Sequence, residues 1–499
     1  MNWKTVFKIQ GILLIILSAS MIPPLLFSLY YNSGDSQEFL YSILISLITG
    51  SLLFLIFRSD TDFRPREGFV IVSLGWIFAA LFGALPFYFY GMSGGSYVDC
   101  VFETMSGFTT TGSSILTDIE ILPKGLLFWR SFTHWLGGMG IIVLAIAILP
   151  MLGLSSTKLY QAEVSGPMKE KLSPKIKDTA KILWYIYFGM TFILTILLMM
   201  GGMDLFSALC HTFGTLGTGG FSTLNRSVAG FESLYIEIVI IIFMYLSGIN
   251  FFLHFSLIRG RFSEFFTNRE WRFYTFILIV AGLIIASDLY FSDLSGEILV
   301  SHPELSDYKN DFGLCLRHSF FQTVSLGTAT GFASANFDLW SDFSKLILII
   351  LMFIGGCAGS TSGGIKQIRF LLVIKFIFNE IRKLTHPRAF FSVKIGDKTY
   401  QDVVIKNVVA FFVIYLLAFG TVTLLLTSQG YDIVTSFSAS VATISGVGPG
   451  LARVGAVENF AFFNDFSKIL LTFNMLLGRL ELYSVLILIY SLFNPKKIR

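Results

Sequence analysis

Long apolar runs recur along this chain, and they limit the folds that it can adopt more than any other feature does. They lie at 12–30, 69–88, 183–199, 236–255, 273–285, 403–426 and 469–492. A helix needs about 20 apolar residues to cross a bilayer, so these runs predict membrane-spanning helices. Only 14% of the 499 residues are charged, whereas soluble domains have about 25%. The predicted fold class is all-α, a polytopic protein embedded in the lipid bilayer.

The positions of lysine and arginine predict the orientation of the chain. Counting spans alternately from a cytoplasmic N-terminus places 27 of the 36 basic residues on the inside. They lie in the N-terminus, in the segments 58–66, 158–181, 259–272 and 366–406, and in the tail that ends at Arg499. Cytoplasmic connections are enriched in these residues, so both termini are expected in the cytoplasm. The net charge of +4 is too small to indicate a nucleic-acid partner.

Four further apolar segments are too short to span a bilayer. They lie at 97–111, 204–216, 314–328 and 431–444, on the predicted outer side, and each leads into a glycine-rich loop. Non-helical backbone at membrane depth is tolerated only where protein buries it or where it lines a watery cavity. Four re-entrant segments of this kind therefore predict a pore.

The four loops share one pattern, with the sequences TTTGS (109–113), GTGGF (217–221), TATGF (328–332) and SGVGP (445–449). The fourth residue is always glycine, at intervals of 108, 111 and 117 residues. A near-constant period indicates duplication of one unit. The predicted organisation is an N-terminal helix pair (1–66) and four helix–pore helix–helix repeats (67–175, 176–268, 269–395 and 396–499). We expect the repeats in a pseudo-fourfold arrangement around one pore.

The loop sequences suit a potassium filter. Such a filter replaces the water shell of the ion with rings of backbone carbonyls, and glycine adopts the positive φ that lets successive carbonyls face one axis. A single loop of this kind would favour a tight turn over a filter, whereas four in register favour a filter. The predicted ion-binding residues are Thr110, Thr111, Gly112, Thr218, Gly219, Gly220, Ala329, Thr330, Gly331, Gly446, Val447 and Gly448.

A run of small residues, GGCAGSTSGG (355–364), interrupts an apolar helix on the inner side of the predicted filter. Glycine costs about 1 kcal/mol per residue in a helix, so this run is expected to be a loop within the membrane. It is a candidate gate, and a packing kink is the alternative. The candidate gating residues are Gly355, Gly356, Gly359, Ser360, Gly363 and Gly364.

Arg479 lies within the last apolar run. A charged residue at that depth is a functional hypothesis by default. It could form a positive barrier to cations, contact the 355–364 segment, or simply pair with carbonyls or with Glu481. Residues two apart on a helix do not face each other, so Glu481 is a poor partner.

These residues resemble the Trk/Ktr/HKT superfamily of potassium transporters, and most closely the bacterial Trk membrane subunit, over essentially the whole chain. The most specific matches are SGFTTTG (106–112), FWRS (128–131), WLGGMGI (135–141), GRLE (478–481) and the 355–364 segment. The resemblance implies two N-terminal helices, at about 9–57, before four pore repeats. It assigns the filter to Gly112, Gly220, Gly331 and Gly448, the gate to 355–364 and a pore arginine to Arg479.

The resemblance also implies partners and a location. The protein would be a homodimer in the bacterial inner membrane, with one potassium pore in each protomer. A cytosolic nucleotide-binding regulatory ring would dock on the basic inner face, and ATP or NAD(H) would bind that ring. This chain has no nucleotide motif of its own, and no covalently bound cofactor is expected.

Two alternative functions remain at this point, and two of the loops depart from a regular filter. The fourth loop lacks threonine and the second begins with glycine, so the filter is less regular than that of a tetrameric channel. Proton- or sodium-coupled symport, including alternating access, is the nearer alternative, although four repeats of equal orientation favour a fixed pore. An intramembrane serine protease, suggested by GMSGG (91–95), is remote because no strand–turn–helix context surrounds Ser93. We expect that the chain is not an enzyme.

Overall fold

The computed structural model describes residues 2–57, 65–140, 176–292, 308, 311–386, 388–389, 391–396 and 398–493. Outside these ranges lie several of the basic residues used to predict the orientation: Arg58, Arg64, those of 158–175 and those of the tail at 496–499. The α-helices are Trp3–Ser20, Ile22–Tyr31, Ser36–Ile56, Pro65–Gly83, Leu85–Tyr90, Tyr97–Phe108, Lys124–Gly138, Ile176–Met200, Leu205–Gly217, Leu234–Ser247, Phe251–Ile258, Phe262–Phe266, Arg269–Phe291, Phe312–Gly327, Asp342–Phe353, Gln367–Thr385, Asp402–Ser428, Ile433–Ser445, Asp465–Arg479 and Tyr483–Phe493. Strands Val393–Ile395 and Lys398–Tyr400 form an antiparallel hairpin.

Six stretches in the described residues are long and apolar enough to cross a membrane, by length and composition. They are Trp3–Tyr31, Ser36–Ile56, Glu67–Tyr90, Lys181–Met200, Arg269–Phe291 and Asp402–Ser428. Two bent helix pairs, Leu234–Ser247 with Phe251–Ile258 and Asp465–Arg479 with Tyr483–Ser491, raise the number to eight if each pair is one span. The apolar runs predicted from the sequence lie in these elements, which confirms a helical, multi-pass architecture.

The runs 236–255 and 469–492, predicted as spanning helices, are each divided into two helices. The first bends by 101° and the second by 115°. At the first break, the carbonyl oxygen of Gly248 accepts from the amide of Cys357 (2.9 Å), and the amide of Phe251 donates to Gly359 (3.0 Å). The 355–364 segment therefore supplies the hydrogen bonds that a continuous helix would have made. At the second break, Glu481 and Leu482 have left-handed backbone conformations.

Each of the four predicted short segments contains a short helix that ends at a glycine-centred loop. These pore-loop helices are Tyr97–Phe108, Leu205–Gly217, Phe312–Gly327 and Ile433–Ser445. Their N-caps are Ser96, Asp204, Asp311 and Asp432, whose side chains accept from backbone amides of the first turn. Such caps satisfy N–H groups that have no partner within the helix. The opposite, partly negative ends of the helices therefore lead into the loops.

The N-terminal helices Trp3–Ser20 and Ser36–Ile56 pack closely through two glycines. A Cβ atom added at Gly11 would lie 2.6 Å from the carbonyl oxygen of Gly50, and one added at Gly50 would lie 2.8 Å from that of Gly11. Small residues allow helix backbones in membranes to approach each other in this way. The buried carboxylate of Asp35 accepts from the amide of Leu126 (2.8 Å), which joins this pair to the helix Lys124–Gly138.

We predict that Gly50→Leu separates the N-terminal helices and destabilises the protein by about 1–3 kcal/mol, the usual effect of overpacking. The melting temperature of the detergent-purified protein should fall by a few degrees. Gly420→Leu is the matched control, because no atom lies within 4 Å of a Cβ added at Gly420 in the helix Asp402–Ser428. Equal melting temperatures for the two variants would contradict the packing account.

Candidate functional site: the ring of glycine-centred loops

The four glycine-centred loops contact one another in chain order, and the fourth contacts the first. Each contact joins the fourth-position glycine of one loop to the residue that precedes the corresponding glycine of the next loop. A Cβ atom added at Gly112 would meet the carbonyl oxygen of Gly219, one at Gly220 that of Thr330, one at Gly331 that of Val447, and one at Gly448 that of Thr111. The sequence-predicted residues of four distant segments are thus brought together in one closed ring.

Backbone conformation repeats at equivalent positions of the loops. The four glycines have φ values of +87°, +76°, +85° and +97°. Two residues earlier, Thr110, Thr218 and Ala329 have φ values of +56°, +54° and +55°, and Gly446 has +65°. A left-handed conformation costs a residue with a side chain roughly 1–2 kcal/mol. Such strain persists only where the surroundings enforce it, and it is concentrated at functional sites.

The hydrogen bonds of the loops also repeat. The amides of Thr111, Gly219, Thr330 and Val447 each donate to the carbonyl oxygen five residues earlier, at 2.8, 2.9, 2.7 and 2.9 Å. The N–H groups thus point back toward the ends of the pore-loop helices. The carbonyl oxygens of the same four residues accept no hydrogen bond from the described part of the chain. They are the oxygens that the neighbouring ring glycines approach, so they occupy equivalent positions around the ring.

The ring lies between two cavities. On one side, all four glycines line a cavity of about 110 Å³. On the other side, Thr109, Ser445 and Gly446 line a second cavity of about 120 Å³, together with Arg479 and part of the 355–364 segment. A path from one cavity to the other passes the loops.

The 355–364 segment packs directly against the third and fourth loops, on the side of the cavity that Arg479 lines. Ser362 Oγ donates to the carbonyl oxygen of Thr328 (2.7 Å), and the amide of Gly364 donates to that of Ser445 (2.7 Å). Four of the candidate gating residues line this second cavity: Gly359, Ser360, Gly363 and Gly364.

Gly355 and Gly356 do not line that cavity. The amide of Gly355 donates to Ile365 (3.1 Å), and the amide of Gly356 donates to Ser362 Oγ (2.9 Å). A Cβ atom added at Gly355 would collide with the carbonyl oxygen of Gly363. These two glycines thus allow the segment to fold back on itself.

Glu270 holds the segment from outside the cavity, and the sequence reasoning missed it. Its carboxylate accepts from the amides of Ala358 (2.7 Å) and Ile368 (3.1 Å). It is a buried acidic residue at the start of the helix Arg269–Phe291. Its sequence signal is weak: it is an acidic residue next to a predicted span. Its partners lie about 90 residues further along the chain.

Arg479 bridges the first loop and the 355–364 segment. Its guanidinium donates to the carbonyl oxygens of Gly137, Gly138 (3.0 Å) and Thr361 (3.1 Å), and to Thr110 Oγ1 (3.2 Å). The contact with the segment and the pairing with carbonyls are therefore both present. Glu481 forms an ion pair with Arg369.

A buried ion pair on the side of the ring away from Arg479 was also missed. Arg130 Nε lies 2.6 Å from Glu103 Oε1, and both side chains are almost completely buried. Arg130 Nη1 donates to the carbonyl oxygen of Ser222 (3.0 Å), while Glu103 accepts from the amide of Ile115 (2.9 Å). The pair thereby ties the segment after the first loop to the segment after the second. Removing one member of such a pair leaves an uncompensated charge and typically costs about 3–5 kcal/mol.

A serine protease needs a base such as histidine, and two buried histidines have contacts elsewhere. His211 contacts the carbonyl oxygen of Ser207 (2.8 Å) and Ser222 Oγ (3.0 Å), and His254 contacts the carbonyl oxygen of Leu246 (2.9 Å). None of these contacts involves the 91–95 segment.

Comparison with known proteins agrees with the resemblance inferred from the sequence. A family model described as TrkH, a cation transport protein, matches residues 35–497. The Trk system potassium uptake protein TrkH of Halomonas elongata is 39% identical, with 99% of this chain and 100% of the relative covered. TrkH of Escherichia coli K12 is 38% identical, with 98% of each chain covered.

The fold agrees as well. The crystal structure of the potassium transporter TrkH from Vibrio parahaemolyticus matches with a TM-score of 0.85 at 35% identity, covering 99% of this chain and 100% of that chain. These relatives are named as transporters, so the chain is not an enzyme. The chain is a multi-pass membrane protein and belongs to the TrkH family of cation transport proteins.

Proposed function

We propose that this chain mediates potassium uptake across the membrane through the centre of the ring of loops. One observation supports this most strongly: the carbonyl oxygens of Thr111, Gly219, Thr330 and Val447 form one level of a closed ring and accept no hydrogen bond from the described residues. Four such oxygens can replace part of the water shell of a potassium ion. The relatives named as potassium uptake proteins support the choice of ion.

The filter, in this proposal, comprises the three residues that end at each ring glycine. They are Thr110, Thr111 and Gly112; Thr218, Gly219 and Gly220; Ala329, Thr330 and Gly331; and Gly446, Val447 and Gly448. The repeated left-handed backbone supports equivalent roles for the four loops. The four repeats would then surround one axis with pseudo-fourfold symmetry. Their boundaries would be those predicted from the sequence: 67–175, 176–268, 269–395 and 396–499. The partly negative ends of the pore-loop helices would favour a cation there.

The gate, in this proposal, comprises the 355–364 segment and Arg479. Both line the cavity directly below the ring, so an ion that leaves the filter must pass them. A guanidinium group in this position opposes a cation by charge. Its hydrogen bonds to Thr361 and Thr110 connect the segment to the first loop, so movement of the segment would also move the arginine.

The remaining expectations also stand as proposals. We propose a homodimer in a bacterial inner membrane with both termini in the cytoplasm, as the basic segments indicate. A cytosolic nucleotide-binding ring would dock on that face and act on the gate, and the nucleotide would bind the ring and not this chain.

Ion flux into proteoliposomes tests the proposed function. Rubidium, a potassium substitute, should enter markedly faster than sodium. Gly220→Ala should slow rubidium entry about tenfold or more, which corresponds to about 1.4 kcal/mol on the barrier. The physical reason is that the added methyl group would meet the carbonyl oxygen of Thr330 at a position with φ +76°.

Gly202→Ala is the matched control, since Gly202 also has a positive φ (+98°) but no atom lies within 4 Å of an added Cβ. Its flux per folded protein should equal that of the wild type. Sodium entry as fast as rubidium entry would contradict a potassium filter. Uptake that requires a proton or sodium gradient would instead establish symport.

We further predict that Arg479→Ala raises basal rubidium flux severalfold, because the positive charge below the filter is removed. Arg479→Lys retains the charge and should keep the basal flux low, although it loses part of the hydrogen-bond set. Both fluxes are measured without regulatory partner, at equal amounts of folded protein. Unchanged flux in Arg479→Ala would exclude the arginine as a barrier.

A further inference from the structure

A third cavity lies far from the ring and has no part in the proposed ion path. Its volume is about 530 Å³. It lies at the Arg269 end of the helix Arg269–Phe291, whereas Asp288, near the other end, accepts a hydrogen bond from Ser344 (2.6 Å). Ser344 belongs to the first turn of the helix that follows the third loop. The cavity is therefore on the membrane side opposite to the outer face of the ring.

Four basic residues from separate elements surround this cavity. Arg269 and Arg272 belong to the span, Lys375 to the helix Gln367–Thr385, and Lys394 to the first strand of the hairpin. Arg272 donates to the carbonyl oxygen of Phe266 (2.7 Å), and Lys375 donates to that of Lys394. These contacts with neutral carbonyls orient the side chains without neutralising them. Within the described ranges, no carboxylate forms an ion pair with any of the four.

The wall of the cavity next to these charges is aromatic. Phe273 and Phe276 follow Arg269 and Arg272 at one-turn spacing, so they continue the same face of the helix into the membrane. Phe276 is 63% exposed. Because the helix Arg269–Phe291 is a candidate span, this exposed ring faces the acyl-chain region. The cavity thus combines a cluster of cations with an apolar surface that begins where the bilayer begins.

We propose that this cavity binds an anionic phospholipid. The four cations would hold the phosphate headgroup, and Phe273 and Phe276 would contact the acyl chains. Basic pockets between membrane-spanning helices bind such headgroups, and each basic residue near the surface contributes about a factor of five in affinity. Four positive charges also suit a lipid with two phosphates better than one with a single phosphate. The proposal is independent of the proposed potassium uptake.

The elements that form this site also hold the candidate gate. Arg269 precedes Glu270, whose carboxylate accepts from the amides of Ala358 and Ile368. The helix that contains Lys375 begins at Gln367, three residues after the 355–364 segment ends. A bound lipid would therefore contact both elements that anchor the segment.

Native mass spectrometry of the full-length protein in detergent tests the proposal. The protein is titrated with diphosphatidylglycerol, phosphatidylglycerol, phosphatidylcholine and inorganic phosphate. The two anionic lipids should bind, with diphosphatidylglycerol the tighter, and phosphatidylcholine should not. Replacing two cations, as in Arg269→Gln with Lys375→Gln, should weaken the binding of diphosphatidylglycerol about 25-fold, given about fivefold for each charge.

Arg382→Gln with Lys406→Gln is the matched control. Both residues are exposed and basic and lie on adjoining helices, but neither lines the cavity. This variant should change the affinity less than threefold. Equal losses in the two double variants would overturn the proposal, because they would indicate attraction by overall charge.

Phe276→Gln distinguishes a lipid from a free anion and keeps the test valid if the double variant does not fold. It should weaken lipid binding severalfold and leave the binding of inorganic phosphate unchanged. Two results together would overturn the proposal in favour of a site for soluble anions. Inorganic phosphate would compete with the lipid at equal concentration, and Phe276→Gln would leave lipid binding unchanged. Rubidium flux is measured separately, so failure of one proposal is distinguishable from failure of the other.

Discussion

Backbone N–H and C=O groups inside a bilayer need partners, and the structure depends on how the four loops meet this requirement. The amide that precedes each ring glycine donates to the end of its own pore-loop helix, so the N–H groups are satisfied locally. The carbonyl oxygens of Thr111, Gly219, Thr330 and Val447 are left facing the neighbouring loops. Such an arrangement is tolerated in a membrane only beside protein or a polar cavity. In the proposed function, a dehydrated cation supplies the partner that these oxygens lack.

Polar contacts between successive parts of the chain hold the ring closed. Arg130 donates to Ser222, Arg317 pairs with Glu237 (2.6 Å), and the amide of Ala452 donates to Asp338 (3.0 Å). Lys468 completes the circle with Asp99 (2.6 Å). Each of these joins groups that are separated by 80 residues or more. Each of these contacts joins segments near two successive loops.

Much of this architecture could be predicted from the sequence, because its signals are local. The apolar runs predict the spans, and the glycine at the fourth position of each loop predicts a positive φ there. The left-handed conformations of Thr110, Thr218 and Ala329 could not be predicted, since no propensity favours them and only the packed ring enforces them. The breaks near Gly248 and Glu481, and the role of Glu270, were missed for a related reason. The residues at the first break and Glu270 form hydrogen bonds with the 355–364 segment, which lies about 90 to 110 residues further along the chain.

The central claim is that the four carbonyl oxygens bind a dehydrated potassium ion. Anomalous diffraction from crystals grown in rubidium chloride tests it most directly, because rubidium replaces potassium and scatters anomalously. The account predicts a rubidium peak on the axis of the ring, at similar distances from the carbonyl oxygens of Thr111, Gly219, Thr330 and Val447. A rubidium peak elsewhere in the protein, with none between the four loops, would contradict it.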